Sequence, residues 1–78
     1  MKDRSYNGHK NYNHWNVSLW INNDEPLYRL AQMAARDQIN RDAAARYMLD
    51  VLASRGVTHT PDGAPYSVTT IKAAMVGM

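Results

Sequence analysis

The sequence predicts a compact all-α domain of four helices, with a basic N-terminal arm and a last helix pair arranged like a helix-turn-helix. Apolar residues recur at helical spacing in three segments after residue 23, and capping residues precede two of these segments. A chain of 78 residues has room for one core. We therefore expect a polar arm over residues 1–11 and a single helical domain over residues 12–78.

The first periodic segment, residues 12–22, fits two structures. Its apolar residues alternate with His14, Asn16, Ser18 and Trp20, which favours a strand. The alternating residues are Trp15, Val17, Leu19 and Ile21. Against a strand, Asn11 or Asn13 can cap a helix, and a single strand has no partner among predicted helices. We predict a helix here and keep the strand as the alternative.

The second segment begins at Asn23 or Asp24, a capping residue, with Glu25 and Pro26 in a suitable first turn. The i, i+3, i+4, i+7 pattern predicts a helix to about residue 36. Its apolar stripe consists of Leu27, Leu30, Ala31 and Ala34.

The third segment, residues 40–54, is the clearest helix, and Gly56 supplies a left-handed stop after it. Arg46 has Asp42 and Asp50 one turn away on either side. The predicted core face, Tyr47 included, is made of Ala44, Tyr47, Met48, Val51 and Leu52.

A turn is predicted at Pro61, Asp62 and Gly63. Pro fixes φ, the Asp side chain hydrogen-bonds to the backbone that follows it, and Gly adopts a positive φ. Tyr66 is expected to pack against this turn. Ser67 then caps a last helix that reaches about residue 76. The buried stripe of that helix consists of Val68, Ile71 and Met75.

The formal net charge of +2 lies wholly in the first 23 residues, because residues 24–56 and 57–78 each sum to zero. A pI near 9.2 is typical of nucleic-acid-binding proteins, but the balanced body of the chain argues for apolar contact instead.

The sequence also lacks the patterns that catalysis and metal binding need. It contains no Cys, and His9, His14 and His59 have no partners at zinc-ligand spacing. No Ser-His-Asp arrangement, phosphate-binding loop or dinucleotide fingerprint is present. We predict no enzyme activity, no metal and no cofactor. No apolar stretch is long enough to span a bilayer, so we expect no membrane association.

Residues 6–31 carry the pattern Asn-Tyr-x-x-Trp-x-Val-x-Leu-Trp-x-x-Asn-Asp-Glu. This pattern resembles a family of small, uncharacterised phage, plasmid and prokaryotic proteins, in which a Gly is common where Pro26 stands here. The resemblance implies a phage or mobile-element origin, and hence the cytoplasm of a prokaryotic host.

Residues 49–75 carry Arg-Gly-Val at 55–57, then Thr-Pro-x-Gly-x-Pro-aromatic-Ser at 60–67, and then a Thr-Ile helix. This pattern resembles the helix-turn-helix tail of large serine recombinases. In such tails Gly56 would end one helix, Gly63 would turn the chain, and Ser67 would cap the next helix. Those tails carry several Arg around the second helix, whereas here Lys72 is the only basic residue in it.

Trp15 and Trp20 allow two interpretations. In one, the two indoles form much of the core, because the chain has no Phe; in the other, one of them anchors a partner. On a helix they point about 140° apart, so both cannot face one narrow stripe. We expect Trp20 to lie at an edge or in a contact.

Two functions agree with these sequence features. The first is a non-enzymatic phage-type accessory protein that binds and inhibits or redirects a host or defence protein complex, an anti-CRISPR or similar anti-defence inhibitor being its most concrete form. Its partner-binding residues would be Tyr6, Lys10, Tyr12 and Trp20.

The alternative is a helix-turn-helix-like regulator that binds duplex DNA through the last helix and the arm. With so few cations in each chain, it would have to act as a homodimer. Its candidate contacts are Lys2, Arg4, Lys10, Ser67, Thr69, Thr70 and Lys72.

Overall fold

The computed structural model describes residues 11–78, and it confirms the all-α fold. Helix α1 covers Tyr12–Asn23, α2 covers Glu25–Asp37, α3 covers Arg41–Ser54 and α4 covers Val68–Ala74. Within residues 11–78 there is no strand, and extended pairing is limited to an isolated bridge between His59 and Pro65. Each helix contacts the next along the chain and α4 packs against α1, so the four helices surround one core.

Side-chain caps begin three of the four helices, and the sequence predicts those of α1 and α4. Asn11 and Asn40 each accept the backbone N–H three residues ahead, at the starts of α1 and α3. Ser67 and Thr70 form a reciprocal capping box at the start of α4. These bonds satisfy N–H groups that a helix start leaves without an intrahelical acceptor.

A single residue, Asp24, separates α1 from α2. Its N–H donates to the Trp20 carbonyl at 2.9 Å, and its own carbonyl accepts the Tyr28 N–H at 2.8 Å. Its side chain makes no capping bond, whereas the sequence predicts a side-chain cap at Asn23 or Asp24. The backbone alone thus makes the elbow between the two helices, and the Asp24 carboxylate is left for other contacts.

The core is built from aliphatic and methionine side chains, the ring of Tyr66, and alanines that mostly lie on the helices. Its largest fully buried apolar side chains are Ile21, Met48, Ile71, Met75 and Val17. The predicted stripes of α2 and α4 face this core, with Leu27, Leu30 and Val68 partly buried at its edge. The buried alanines are Ala31, Ala34, Ala44, Ala45, Ala64 and Ala74.

One prediction about the core is wrong, and one of the two interpretations of the tryptophans does not hold. Tyr47 is 40% exposed, because the buried stripe of α3 runs through Ala45 and Met48, and Tyr47 lies about 100° around the axis from Met48. Neither Trp15 nor Trp20 belongs to the fully buried set; both are half-buried at the edge of α1. The edge position expected for Trp20 is therefore confirmed.

The alternating pattern of α1 forms a helix with apolar residues on both sides. Val17 and Ile21 are one turn apart and fully buried. Trp15 and Leu19 are also one turn apart, but on a different side, and Leu19 is 38% exposed. Four alternating apolar residues in a helix thus make one inward pair and one outward pair.

The connection between α3 and α4 differs from a helix-turn-helix. Residues 55–67, thirteen in all, join the two helices, whereas that motif uses a turn of about 3–4 residues. The glycines behave as the sequence predicts, with φ of +74° at Gly56 and +92° at Gly63. Helix α4 ends at Ala74, two residues before the expected end.

The two sides of α1 predict different costs of truncation. Ile21→Ala should lower the free energy of unfolding by about 2–5 kcal/mol, because it leaves a cavity in the core. Leu19→Ala should cost less than about 1 kcal/mol, because part of its side chain is already in water. Urea unfolding followed by circular dichroism measures both, and equal costs would contradict the two-sided helix.

Candidate protein-interaction site

The outward side of α1 presents aromatic and aliphatic groups at the protein surface. We call Tyr12, Trp15, Leu19 and Asn23 the outer face, because their spacing places them on one side of the helix. Tyr12 is 39% exposed, and its ring packs against Trp15 with the centroids 5.8 Å apart. A hollow of about 230 Å³ lies at its C-terminal end, beside Leu19, Trp20 and Asn23.

A buried asparagine ties α1 to the long connection between α3 and α4. Asn16 is 1% exposed, and its Oδ1 accepts the Thr60 hydroxyl at 2.6 Å. Its Nδ2 donates to Oδ2 of Asp62 at 2.9 Å. The Thr60 hydroxyl oxygen also accepts the Ala64 N–H at 3.0 Å. Every buried side-chain polar atom in residues 11–78 has a partner, so this network is fully satisfied.

The indole of Trp20 shares the same carboxylate. Its Nε1–H donates to Oδ2 of Asp62 at 3.0 Å. The sequence predicts that Asp62 bonds to the backbone that follows it, but its carboxylate instead accepts hydrogen bonds from α1. Within the turn, the Thr60 hydroxyl accepts the Ala64 N–H. The Asn16 amide and then the Trp20 indole stabilise the charged carboxylate, and they lower the pKa of Asp62 below its ordinary 3.8.

A second concave surface opens at the α1–α2 elbow. It is an open groove of about 350 Å³ between α2, the end of α3 and the connection, which we call the elbow groove. Burial, and then the neighbouring Asp24 carboxylate, raise the pKa of the Tyr66 phenol. The residues lining the groove are Trp20, Asp24, Leu27, Leu52, Arg55, Val57, His59, Pro61 and Tyr66.

Two of the four predicted partner-binding residues lie in the described part of the chain. Tyr12 and Trp20 both lie on α1 near the surface, about 12 Å apart along the axis. Tyr6 and Lys10 lie outside the described residues. Trp15, Leu19, Asp24 and Arg55 were not among the predicted contacts.

Three of the four DNA-contact candidates that lie within residues 11–78 are engaged within the fold. Ser67 and Thr70 bond to each other in the capping box, and Thr70 is 5% exposed. Lys72 lies 3.5 Å from Asp42, which also holds Arg46. Thr69 is exposed on α4. Lys2 and Arg4, like Lys10, lie outside the described residues.

Cations in residues 11–78 are mostly paired. Arg29, Arg36, Arg46 and Lys72 each lie 2.5–3.5 Å from a carboxylate oxygen. Arg41 and Arg55 form no ion pair with a carboxylate of this part of the chain. The described body of the protein therefore carries interspersed charge of both signs.

The same part of the chain contains neither a membrane-spanning helix nor a metal-binding cluster. None of its helices has the length and apolarity needed to cross a membrane. No group of three or more His, Asp or Glu side chains in residues 11–78 is placed to hold a metal ion.

A protein-family model matches residues 2–78, and so includes the arm, the outer face and the elbow groove. The chain belongs to DUF7249, a family of unknown function. No curated protein and no solved structure matches this DUF7249 chain.

Because the Trp20 indole bonds to the titratable carboxylate of Asp62, we expect this contact in the DUF7249 protein to be sensitive to acid. Because folding lowers the pKa of Asp62, its stabilising bonds are complete above the ordinary pKa and are lost as pH falls through the folded-state value. The NMR signal of the Trp20 indole N–H should therefore shift below pH 3.8.

Asp62→Asn is the matched control, since its amide oxygen accepts hydrogen bonds but does not titrate. In this variant the Trp20 signal should be insensitive to acid until the protein unfolds. An unchanged acid shift would mean that another group controls the indole.

Proposed function

We propose that this chain is a non-catalytic accessory protein of phage type that binds a host protein complex through the outer face of α1. An inhibitor of a host defence complex, such as an anti-CRISPR, is the most concrete form of this function. The observation that carries the proposal is that α1 is apolar on both sides, although the core needs only one of them.

Leu19 and its surroundings support a protein partner. Aromatic side chains together with a partly exposed aliphatic one are typical of the centres of protein interfaces. The hollow beside Leu19 and Trp20 is of a size to accept one apolar side chain. Trp20 is held by its bond to Asp62, so little conformational freedom is lost when a partner packs against it.

Charge pairing also favours apolar recognition over attraction to a polyanion. DNA binding depends on cations that neutralise phosphates. Lys72, the only basic residue of α4, already lies beside Asp42, and Arg46 is bonded to the same carboxylate. A regulator that reads DNA through α4 therefore has less support than a protein-binding role.

The test mixes the protein with purified CRISPR effector complexes and measures co-elution in size-exclusion chromatography. The wild-type protein should co-elute stoichiometrically with its target complex. Leu19→Glu should weaken binding at least tenfold, because it places a charge in the apolar contact.

Met33→Glu is the matched control, because Met33 is 36% exposed but lies on α2. It should bind like the wild-type protein. Equal losses for the two variants would remove the outer face from the interface. Absence of co-elution, together with salt-sensitive binding to duplex DNA, would contradict the proposed function in favour of the regulator.

A further inference from the structure

The elbow groove has features that the outer face of α1 does not explain. Its walls are apolar at Leu27, Val57 and Pro61, yet it is open to solvent along the surface. Small-molecule sites usually enclose most of their ligand, which an open groove on a small domain does not do. Its shape is better suited to packing against another protein surface.

Two opposite charges on this groove are unpaired within the described residues. Asp24 and Arg55 both line it, and neither forms an ion pair within residues 11–78. Backbone bonds fix both positions, since Asp24 joins two helices and the Arg55 N–H donates to the Leu52 carbonyl at 3.0 Å. Four other cations of the same region do have carboxylate partners.

We infer that the elbow groove is the interface of a two-fold symmetric dimer of this chain. In such a dimer each residue pair occurs twice, with the roles of the two copies exchanged. Arg55 of one copy then meets the partner's Asp24, and Asp24 meets the partner's Arg55. A second copy therefore supplies one cation and one anion at once, while the apolar walls pack together.

This dimer is independent of the proposed binding of a host complex. The outer face begins at Tyr12 and ends near Asn23, whereas every groove residue other than Trp20 lies between residues 24 and 66. Trp20 borders both surfaces, so it is not used in the test. Failure of one proposal leaves the other standing.

The test is sedimentation velocity over a series of protein concentrations. The wild-type protein should show a reversible monomer–dimer equilibrium. Asp24→Arg and Arg55→Asp should each raise the dimer Kd at least tenfold, because each places like charges opposite one another. An equimolar mixture of the two variants should restore the Kd to within about threefold of the wild-type value, since their charges are complementary.

Asp50→Arg and Arg41→Asp are the matched controls. They make the same changes of charge at exposed positions outside the groove, and they should leave the Kd unchanged. If circular dichroism shows that a reversal disturbs folding, Asp24→Asn and Arg55→Gln replace it, and each should raise the Kd at least threefold. A wild-type monomer up to about 1 mM, or reversals that mixing does not rescue, would overturn the dimer.

Discussion

The bonds that join Asn16 to Thr60 and Asp62 tie the long connection between α3 and α4 to helix α1. A buried amide must have its hydrogen bonds satisfied, and here the partners come from a connection more than forty residues away. That requirement fixes the turn against α1. It also places the Asp62 carboxylate where it accepts the Trp20 indole. One buried side chain thereby positions the carboxylate that holds Trp20, which borders both proposed surfaces.

Helix α1 shows that a sequence with alternating apolar residues can form a helix. In a strand, the alternation of residues 15–21 would give one apolar face and one polar face. In a helix, it gives an inward pair, Val17 and Ile21, and an outward pair that includes Leu19. A second apolar face is not needed for the core. This excess of apolar surface is the physical reason for proposing a protein partner.

Much of the fold could be predicted from local signals. Helix-capping residues at Asn11, Asn40 and Ser67, and the positive φ of Gly56, are set within a few residues of the chain. The exposure of Tyr47 could not be predicted, because it depends on which side of α3 faces the other helices. The bonds of Asp62 were missed for the same reason, since Asn16 and Trp20 are distant in sequence.

The candidate surfaces could likewise be predicted only in part. Tyr12 and Trp20 were identifiable as large residues in a polar setting, whereas the elbow groove exists only where α2, the end of α3 and the connection meet. No sequence pattern brings Asp24 and Arg55 to one groove. Long-range placement of this kind results from packing of the helices and not from local preference.

The central claim is that the turn around Asp62 is held against α1 by the Asn16 network. The most direct measurement is the set of nuclear Overhauser contacts from the Trp20 indole N–H in the folded protein at neutral pH. We expect contacts to the Asp62 side chain, together with slow solvent exchange of the indole proton. A rapidly exchanging indole with no contact to residues 60–64 would contradict the claim.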